Sequence, residues 1–453
     1  MYLLYSFLLT LGFIILLPRF VADAFRNGKY VTGLRQRLGG VPRIGGDGSP
    51  VVWLHCVSVG EAQAAQSLVH ALAKTFPQFR LAISTTTVTG QQVARQIFAD
   101  QADAIFYFPI DWAWTVRRAL RKIQPAAIIV METELWPRLL HECHRRRTPV
   151  ALVNGRVSEK SFRGYRLLGR FIGRVVNNLT IALMQTDADS ERLRRLGFPA
   201  ERIHVLGNLK FDSSDLTVER VITDEFRHRF GLDGSATLIV AASTHEPEEQ
   251  IVLEAFKRCR KSGNEAIRLL IAPRHPERFE DVASLLQTSG LTWACRSGSA
   301  REEDKKCEVI LLDSIGELRA VYPLSQIVFV GGSIARKGGH NMIEPAAAGA
   351  CVLVGAHTKN FAAITRAFRD CDGLIQLPDE SAEAVNDHLA SVFNELLRDK
   401  ERRDQIAARG LAVCEQNRGA TDRTIQMLDG ILTMTGPRSE TLPFSVSPAI
   451  ASK

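Results

Sequence analysis

Two segments of the sequence place acidic side chains directly after apolar runs of strand length. Glu61 follows Val57-Ser-Val-Gly60, and Glu132 and Glu134 follow the run that ends at Met131. A carboxylate at the end of a strand can accept the proton of an attacking hydroxyl group. Glu61 also opens a predicted helix, where an acid interacts favourably with the helix dipole, so a structural interpretation stands beside the catalytic one.

Loops rich in glycine, serine, histidine and arginine follow the apolar runs of the second half of the chain. Glycines allow backbone N–H groups to face a phosphate, so several such loops at one edge of a sheet indicate a nucleotide site. Asn341 and Glu344 also have the spacing of a helix capping box, which leaves a structural role open. The candidate binding residues are Ser243, Thr244, Pro273, Arg274, His275, Gly316, Glu317, Leu318, Gly332, Ser333, Asn341, Met342, Ile343 and Glu344.

Apolar runs of strand length alternate with helical patterns beyond residue 50, which is typical of parallel sheets with helices on both faces. The pattern predicts an α/β fold of two Rossmann-like, doubly wound domains facing one cleft. Ligands bind beyond the carboxyl ends of the strands in such sheets. The predicted strands are residues 51–57, 81–84, 105–108, 127–131, 150–153, 181–185 and 203–206, then 238–242, 269–272, 309–312, 327–330, 352–354 and 374–377.

Length and composition agree with two globular domains. The chain has 453 residues, whereas single hydrophobic cores stop growing at about 250 to 300 residues. Its 45% apolar and 23% charged residues exclude a disordered or fibrous protein. The predicted division is a membrane anchor at 1–18, an N-terminal Rossmann-like domain at 19–215, a linker at 216–232, a C-terminal nucleotide-binding domain at 233–430 and a flexible tail at 431–453.

The N-terminal segment carries no charge between residues 2 and 17 and is apolar on every helix face. It is slightly short for a hydrocarbon core of about 30 Å, so both a short span and a deeply embedded anchor are open. Arg19, Arg26 and Lys29 follow it with only Asp23 opposing them. The positive-inside rule then predicts that the rest of the chain lies in the cytoplasm.

The net charge of +8 indicates anionic partners. On a helical wheel, Arg163, Arg166, Arg170 and Arg174 fall on one side, with no acid among them. This basic stripe predicts contact with anionic lipid or with a phosphorylated acceptor. Arginines occur without a docking motif or an aromatic-rich basic patch, so nucleic-acid binding is disfavoured.

Several other classes of site are disfavoured by the sequence. The eight cysteines form no CxxC pair, which argues against a disulfide framework and a zinc site and favours a reducing compartment. No GxxxxGK[ST] motif occurs, so phosphoryl transfer on a P-loop is not expected. Asp187 and Asp189 are interpreted as acids of a helix first turn rather than as metal ligands.

The ordered set of motifs resembles the 3-deoxy-D-manno-octulosonic acid (Kdo) transferase family of lipopolysaccharide synthesis. The resemblance extends from the N-terminus to about residue 420. It rests on Gly60-Glu61, Thr87-Val-Thr-Gly90, Glu132-Thr-Glu-Leu-Trp-Pro137, Gly207-Asn-Leu-Lys-Phe-Asp212, Ser243-Thr-His245, Pro273-Arg-His-Pro-Glu-Arg278, and Gly338-Gly-His-Asn341 with Glu344. The family implies a GT-B fold and metal-independent, cofactor-free transfer of Kdo from CMP-Kdo to the lipid A precursor, lipid IVA, at the cytoplasmic face of the inner membrane. It also implies that the N-terminal domain binds the acceptor and the C-terminal domain binds the nucleotide sugar.

The resemblance also implies roles for individual residues. Glu61 matches the general base, and Glu132 and Lys210 match positions credited with stabilising the transition state. The CMP contacts carry over to Pro273 and Arg274, to 316–318 and to 341–344. Arg138 departs from the pattern, because the Trp-Pro motif is often followed by Asn.

Two alternatives remain open from the sequence. One is a GT-B transferase that uses a UDP-sugar on another membrane lipid. The other is a membrane-bound lipid-binding protein without catalytic activity, which the basic stripe suggests.

Overall fold

The computed structural model describes residues 1–27, 32–44, 48–212, 220–234, 236–263 and 266–434. Internal contacts divide the chain into two compact units. The first contains Met1–Ser213 and Gly419–Lys453, and the second contains Ser214–Arg418. Each unit is built on a seven-stranded parallel sheet, so the predicted class of two Rossmann-like α/β domains is confirmed.

The sheet of the first unit has the strand order β3-β2-β1-β4-β5-β6-β7. All five residues of its first strand are buried, as expected for a parallel sheet covered on both faces. The direction of winding changes between β1 and β4. The strands are β1 (Val51–His55), β2 (Arg80–Thr85), β3 (Ala104–Tyr107), β4 (Pro125–Met131), β5 (Val150–Gly155), β6 (Ile181–Met184) and β7 (Ile203–Val205).

Ten helices of the described residues precede the second unit. Thr87, Ser158 and Thr186 cap three of them through side-chain oxygens, which explains why the chain turns into a helix after β2, β5 and β6. The helices are α1 (Tyr2–Asn27), α2 (Leu34–Arg37), α3 (Val59–Ala64), α4 (Gln66–Thr75), α5 (Val88–Ile97), α6 (Ala113–Ile123), α7 (Pro137–Arg146), α8 (Glu159–Leu167), α9 (Arg170–Val176) and α10 (Asp187–Arg195).

The sheet of the second unit has the order β10-β11-β9-β8-β12-β13-β14, so its winding changes direction between β8 and β12. The strands are β8 (Thr237–Thr244), β9 (Ile267–Pro273), β10 (Trp293–Cys295), β11 (Val309–Leu311), β12 (Ile327–Val330), β13 (Cys351–Val354) and β14 (Ile375–Gln376). The helices are α11 (Arg220–Phe230), α12 (Glu248–Lys261), α13 (Phe279–Gln287), α14 (Leu318–Val321), α15 (Ile343–Ala347), α16 (Ala362–Arg369), α17 (Ala382–Arg398) and α18 (Lys400–Asn417).

The domain bounds differ from the sequence prediction at two places. Residues 220–230, assigned to a linker, form helix α11, in which Phe226 and Phe230 are fully buried. Residues 420–430, assigned to the C-terminal domain, lie in helix α19 (Ala420–Leu432) of the first unit. There Asp212 accepts hydrogen bonds from the backbone N–H groups of Gly419 (2.7 Å) and Thr421 (2.5 Å). The predicted tail lies outside the described residues from 435 onward.

Helix α1 makes polar contacts with the rest of the first unit. The Tyr5 hydroxyl donates to Asp111 at 3.0 Å. The Arg138 guanidinium donates to the Ser6 hydroxyl and to the Tyr2 carbonyl oxygen, both at 2.8 Å. Arg138, the departure from the family motif, therefore attaches α1 to α7. In the part of the chain that the structure describes, no helix is long and apolar enough to cross a membrane.

The other face of α1 presents large apolar side chains to solvent. These residues recur at spacings of three and four, which places them along one side of a helix. They are Leu3, Leu4, Phe7, Leu8, Leu11, Ile14 and Ile15. We call this set the outer face of α1.

The predicted basic stripe does not lie on one helix. Helix α8 ends at Leu167, and α9 begins at Arg170 after Gly169, whose φ of 49° and ψ of −127° interrupt the helical backbone. The wheel that aligned the four arginines assumed a continuous helix, and this assumption was wrong.

Candidate functional site

The predicted catalytic carboxylates follow the two strands at which the first sheet changes its winding. Strands β1 and β4 are neighbours, and the helices that follow them leave in different directions, so their carboxyl-terminal loops open a crevice. Glu61 lies in the loop and helix after β1, and Glu132 and Glu134 follow β4. The structure therefore brings together the acids that the sequence singled out.

Glu61 is held in the first turn of α3 by local hydrogen bonds. The backbone N–H of Val57 donates to Oε2 at 2.7 Å, and the Ser58 hydroxyl donates to Oε1 at 3.0 Å. Burial raises the pKa of Glu61 to about 8, and the negative charges of Glu132 and Glu134 add to this effect against the two hydrogen bonds. The helix-start role and a raised pKa thus coexist in one side chain. A carboxylate with such a pKa is a strong base once it is deprotonated.

Glu132 combines backbone strain with an ion pair. Its φ of 53° lies in the left-handed region, which costs a non-glycine residue about 1 kcal/mol or more. Its Oε1 lies 3.7 Å from the Nζ of Lys210, and both side chains are 20% exposed. Residues held in this region often belong to functional sites, where the surrounding structure fixes them. The pair places opposite charges beside Glu61.

A set of buried amides positions Lys210. The Asn154 side-chain oxygen accepts from the backbone N–H of Leu209 at 3.1 Å, and that of Asn208 accepts from the N–H of Lys210 at 3.0 Å. The Asn208 amide donates in turn to Gln185 at 3.1 Å. Neither Asn208 nor Gln185 was predicted as a supporting residue. Only the Gly207-to-Asp212 motif carried a signal for Asn208.

In the second unit, the loops after β8 and β12 meet around one buried carboxylate. Glu248, in the first turn of α12, accepts from the backbone N–H groups of His245 (3.0 Å), Gly332 (2.8 Å), Ile334 (2.8 Å) and Ala335 (3.1 Å). The side chain is fully buried. Because β8 and β12 mark the change of winding in this sheet, Glu248 fixes both loops of the second crevice.

The loop after β9 adds cationic groups at the same edge of the sheet. Pro273 ends the strand, and the backbone N–H of Arg274 donates to the Thr244 carbonyl oxygen at 3.0 Å, which ties this loop to the one after β8. The Arg274 and His275 side chains are exposed. The edge therefore offers glycines, histidines and an arginine to an anionic ligand.

Comparisons with known proteins agree with this geometry. A family model described as 3-deoxy-D-manno-octulosonic-acid transferase (kdotransferase) matches residues 32–213. A 3-deoxy-D-manno-octulosonic acid transferase of Haemophilus influenzae is 33% identical over 379 residues, which cover 83% of this chain and 86% of the relative. The transferase of that name from Bordetella pertussis is 33% identical over 392 residues, with the same coverage of 83% and 86%. The chain belongs to the Kdo transferase family.

A solved structure of low sequence identity shares the fold of this Kdo transferase family member. The UDP-GlcNAc 2-epimerase of Neisseria meningitidis matches with a TM-score of 0.55 and 13% identity, covering 84% of this chain and 99% of that chain. At this identity the likeness concerns the fold alone. Two parallel-sheet domains are what the family resemblance implied.

Several predicted donor-binding residues of this family member are buried. Thr244, Ser333, Met342 and Ile343 have at most 1% of their surface exposed. Ser333 has a structural contact, since its hydroxyl donates to the Val330 carbonyl oxygen and accepts from the N–H of Gly355. At these four positions neither the side chain nor the backbone offers a surface to a ligand.

Other candidate residues of the second unit form hydrogen bonds or ion pairs, or lie beside open space. Asn341 accepts from the N–H of Ile343 at 3.0 Å, and Glu344 pairs with Arg319 at 2.6 Å, so the capping box between Asn341 and Glu344 is not formed. Glu317 pairs with Arg296 at 2.7 Å, beside the half-exposed Leu318. Gly316, with a φ of 91°, has open space where a side chain would begin.

Glu134 is an acid that the sequence did not assign to the catalytic set. Burial raises its pKa to about 7, and the charge of Glu132 adds to the shift. It thus shares the environment of Glu61. The signal in the sequence was the pair of acids after one strand, but the spacing did not show which of the two would face Glu61.

Proposed function

We propose that this chain transfers Kdo from CMP-Kdo to the lipid A precursor lipid IVA, with inversion at the sugar carbon and Glu61 as the general base. Membership of the Kdo transferase family supports the transferred sugar. The observation that carries the catalytic assignment is the buried Glu61 carboxylate with a pKa of about 8 at the first crevice, beside the Glu132–Lys210 pair.

The proposed reaction is a single displacement. Glu61 accepts the proton of an acceptor hydroxyl, and the hydroxyl oxygen forms a bond to the anomeric carbon of Kdo. The bond from that carbon to the CMP phosphate breaks, and its electron pair leaves with the phosphate. Glu132 stabilises positive charge that develops on the sugar, and Lys210 balances negative charge on the donor. Attack and departure on opposite faces account for inversion.

The donor is proposed to bind the second unit. Arg274 and the glycine-rich loops around Gly332 and Gly338 supply the charge and the backbone N–H groups that a nucleotide phosphate requires. Neither proposed role involves a metal ion or another cofactor.

The direct test is a transfer assay with purified full-length protein, CMP-Kdo and lipid IVA, followed by mass spectrometry of the lipid. We expect products heavier by whole Kdo residues. UDP-GlcNAc in place of CMP-Kdo should give no product. Transfer from the UDP-sugar alone would support the alternative GT-B enzyme, and lipid binding without any transfer would support the non-catalytic alternative.

We also propose that the chain acts at the cytoplasmic face of the anionic inner membrane, seated on it by the outer face of α1. The Arg174 side chain of α9 contacts Met1, which precedes α1, and Phe171 packs on Tyr2 and Tyr5 of α1. The arginine-bearing segment therefore adjoins α1. Leu167 and Leu168 are exposed beside the arginines. Apolar side chains next to Arg163, Arg166, Arg170 and Arg174 suit insertion among anionic lipids.

Charge on the outer face of α1 is expected to release the protein from membranes. Leu8 and Ile15 are 56% and 67% exposed and lie two turns apart, so Leu8→Glu with Ile15→Glu leaves the core intact and repels anionic lipid. Sedimentation with phosphatidylglycerol vesicles should fall at least tenfold. Val221→Glu, which charges an exposed apolar residue of α11, is the matched control. Equal sedimentation of both variants would contradict the proposed seat.

A further inference from the structure

Two histidines of the second unit share a hydrogen bond that the proposed mechanism does not use. The Nε2 atoms of His245 and His340 lie 2.8 Å apart, and the rings stack with centroids 5.1 Å apart at 12°. A hydrogen bond between two ring nitrogens needs a proton on one and a lone pair on the other. Two imidazolium ions cannot make this contact, so the pair holds one proton between the two Nε2 atoms.

The backbone around the pair is fixed. One oxygen of Glu248 accepts the N–H groups of both His245 and Gly332, which ties the loop after β8 to the loop after β12. Gly332 has a φ of 68°, and a Cβ atom there would lie 2.8 Å from the His340 ring. A glycine is therefore required beside His340. The pair is a rigid feature at the change of winding of the second sheet.

The groups that face the pair are mainly cationic. The His275 ring lies 5.2 Å from that of His245, edge to face. Burial lowers the pKa of His245 to about 4, and His275, Lys337, Arg274 and Arg278 lower it further. Burial likewise lowers the pKa of His340 to about 4, with Arg274 and the two other histidines adding to the shift. Glu248, which contacts both loops, is occupied by four backbone N–H groups. Glu246 and Glu249 pair with Arg278, at 3.2 and 3.4 Å.

This surrounding charge selects an anion as the ligand. Among the described residues, no three His, Cys, Asp or Glu side chains converge as metal ligands. The cations around the pair oppose protonation of the rings, whereas the negative charge of a bound phosphate favours it. An additional proton then becomes favourable, because an imidazolium that donates to the phosphate also keeps its hydrogen bond to the neutral partner ring.

We propose that His245 and His340 form a phosphate subsite for the donor that takes up one proton when the phosphate binds. This inference rests on the proposed function, since it assigns the pair to the phosphate of the cytidine nucleotide. Without phosphate, both rings are neutral. With phosphate bound, one ring is a neutral imidazole and the other is an imidazolium ion. Glu248 is the positioning residue that holds the two loops together.

Proton uptake gives the subsite a definite dependence on pH. The empty pair is neutral above about pH 5, because the pKa of each ring is about 4. Binding then consumes a proton, and affinity falls as pH rises, by up to roughly tenfold per pH unit, until pH passes the pKa of the occupied pair. A structural pair without a phosphate would leave affinity independent of these protons.

The test is calorimetric titration of the full-length protein with cytidine 5′-methyl phosphate at pH 6.5. The single charge of this phosphodiester does not titrate between pH 5 and 8. Titrations in two buffers of different ionisation enthalpy report the protons taken up. We expect about one proton per ligand, and none with cytidine, which lacks the phosphate. Binding of the diester without proton uptake would overturn the proposed subsite.

Glutamine variants assign the proton to the pair. Glutamine places an amide near the position of Nε2 but does not titrate, so His245→Gln and His340→Gln should abolish the uptake and flatten the dependence of affinity on pH. The exposed His228 of α11 offers the matched control, His228→Gln. Thermal unfolding checks that each variant folds. Uptake that persists in both pair variants would assign the proton to other groups.

The two proposals fail differently in these experiments. If the wild-type chain binds neither the diester nor CMP-Kdo, the donor assignment of the proposed function fails together with the subsite. If it transfers Kdo from CMP-Kdo but takes up no proton with the diester, the subsite alone fails.

Discussion

Replacing Glu61 by glutamine is expected to lower the rate of Kdo transfer by about three orders of magnitude while making the folded protein more stable at pH 8. The loss of rate follows from removal of the general base, since glutamine cannot accept the hydroxyl proton. Transfer by the wild-type chain should rise with pH to a plateau, with a midpoint at about pH 8, where Glu61 is half ionised. The residual activity of the variant should lack this rise.

The gain in stability follows from the direction of the pKa shift. The pKa of Glu61 is raised from 4.5 to about 8 on folding, so the folded state favours the protonated form. Its contribution to stability is complete below the unfolded pKa and is lost as pH rises through the folded pKa. At pH 7 the shift costs the wild-type chain on the order of 3 kcal/mol, which the uncharged glutamine avoids. Loss of one accepted hydrogen bond, from Val57 or Ser58, reduces the gain.

Thermal unfolding at pH 5 and pH 8 separates these effects. The midpoint of Glu61→Gln should exceed that of the wild type at pH 8 and approach it at pH 5. Glu191→Gln, which removes an exposed acid paired with Arg194 on α10, should change neither rate nor stability appreciably. Full transfer by Glu61→Gln would remove the residue from the base role.

Most of the fold could be predicted from the sequence because a buried parallel strand is a continuous apolar run. All thirteen predicted strands are present, with ends that differ by a few residues. The missed strand, Trp293–Cys295, is three residues long, lies at the edge of its sheet and is half-exposed, so it has no such run. The position of Glu61 and Glu132 followed from the rule that ligands bind beyond the carboxyl ends of the strands in such sheets.

Features that depend on packing were not predictable in the same way. The apolar stripe of α19 indicates a helix but not which domain it packs on, and here Asp212 holds its first turn in the first unit. The prediction of a basic stripe on one helix was wrong because Gly169 interrupts the helix. His245 and His340 are 95 residues apart, and only the neighbouring strands β8 and β12 bring them together.

Glu132 and Lys210 are expected to be separable by the pH dependence of transfer. Burial is the largest cause of the raised pKa of Glu61, and the charge of Glu132 is the next. Glu132→Gln should therefore move the midpoint of the pH profile down by about one unit. It should also lower the plateau rate about 100-fold, because a charge that stabilises the developing oxocarbenium ion is lost.

Lys210→Gln provides the contrast, since Lys210 faces Glu132 at 3.7 Å. Its plateau should fall by a similar factor, about 100-fold, but its midpoint should not move down, because the charge of Glu132 remains. Glu134→Gln should give a smaller downward shift, as Glu134 contributes less to the pKa of Glu61 than Glu132 does. Rates measured from pH 5 to pH 10 on saturating substrates distinguish the three variants. Equal midpoints in Glu132→Gln and the wild type would show that Glu61 is not the group that titrates. Glu132 is the charged neighbour with the largest effect on the pKa of Glu61, so its removal must move the midpoint if Glu61 is that group.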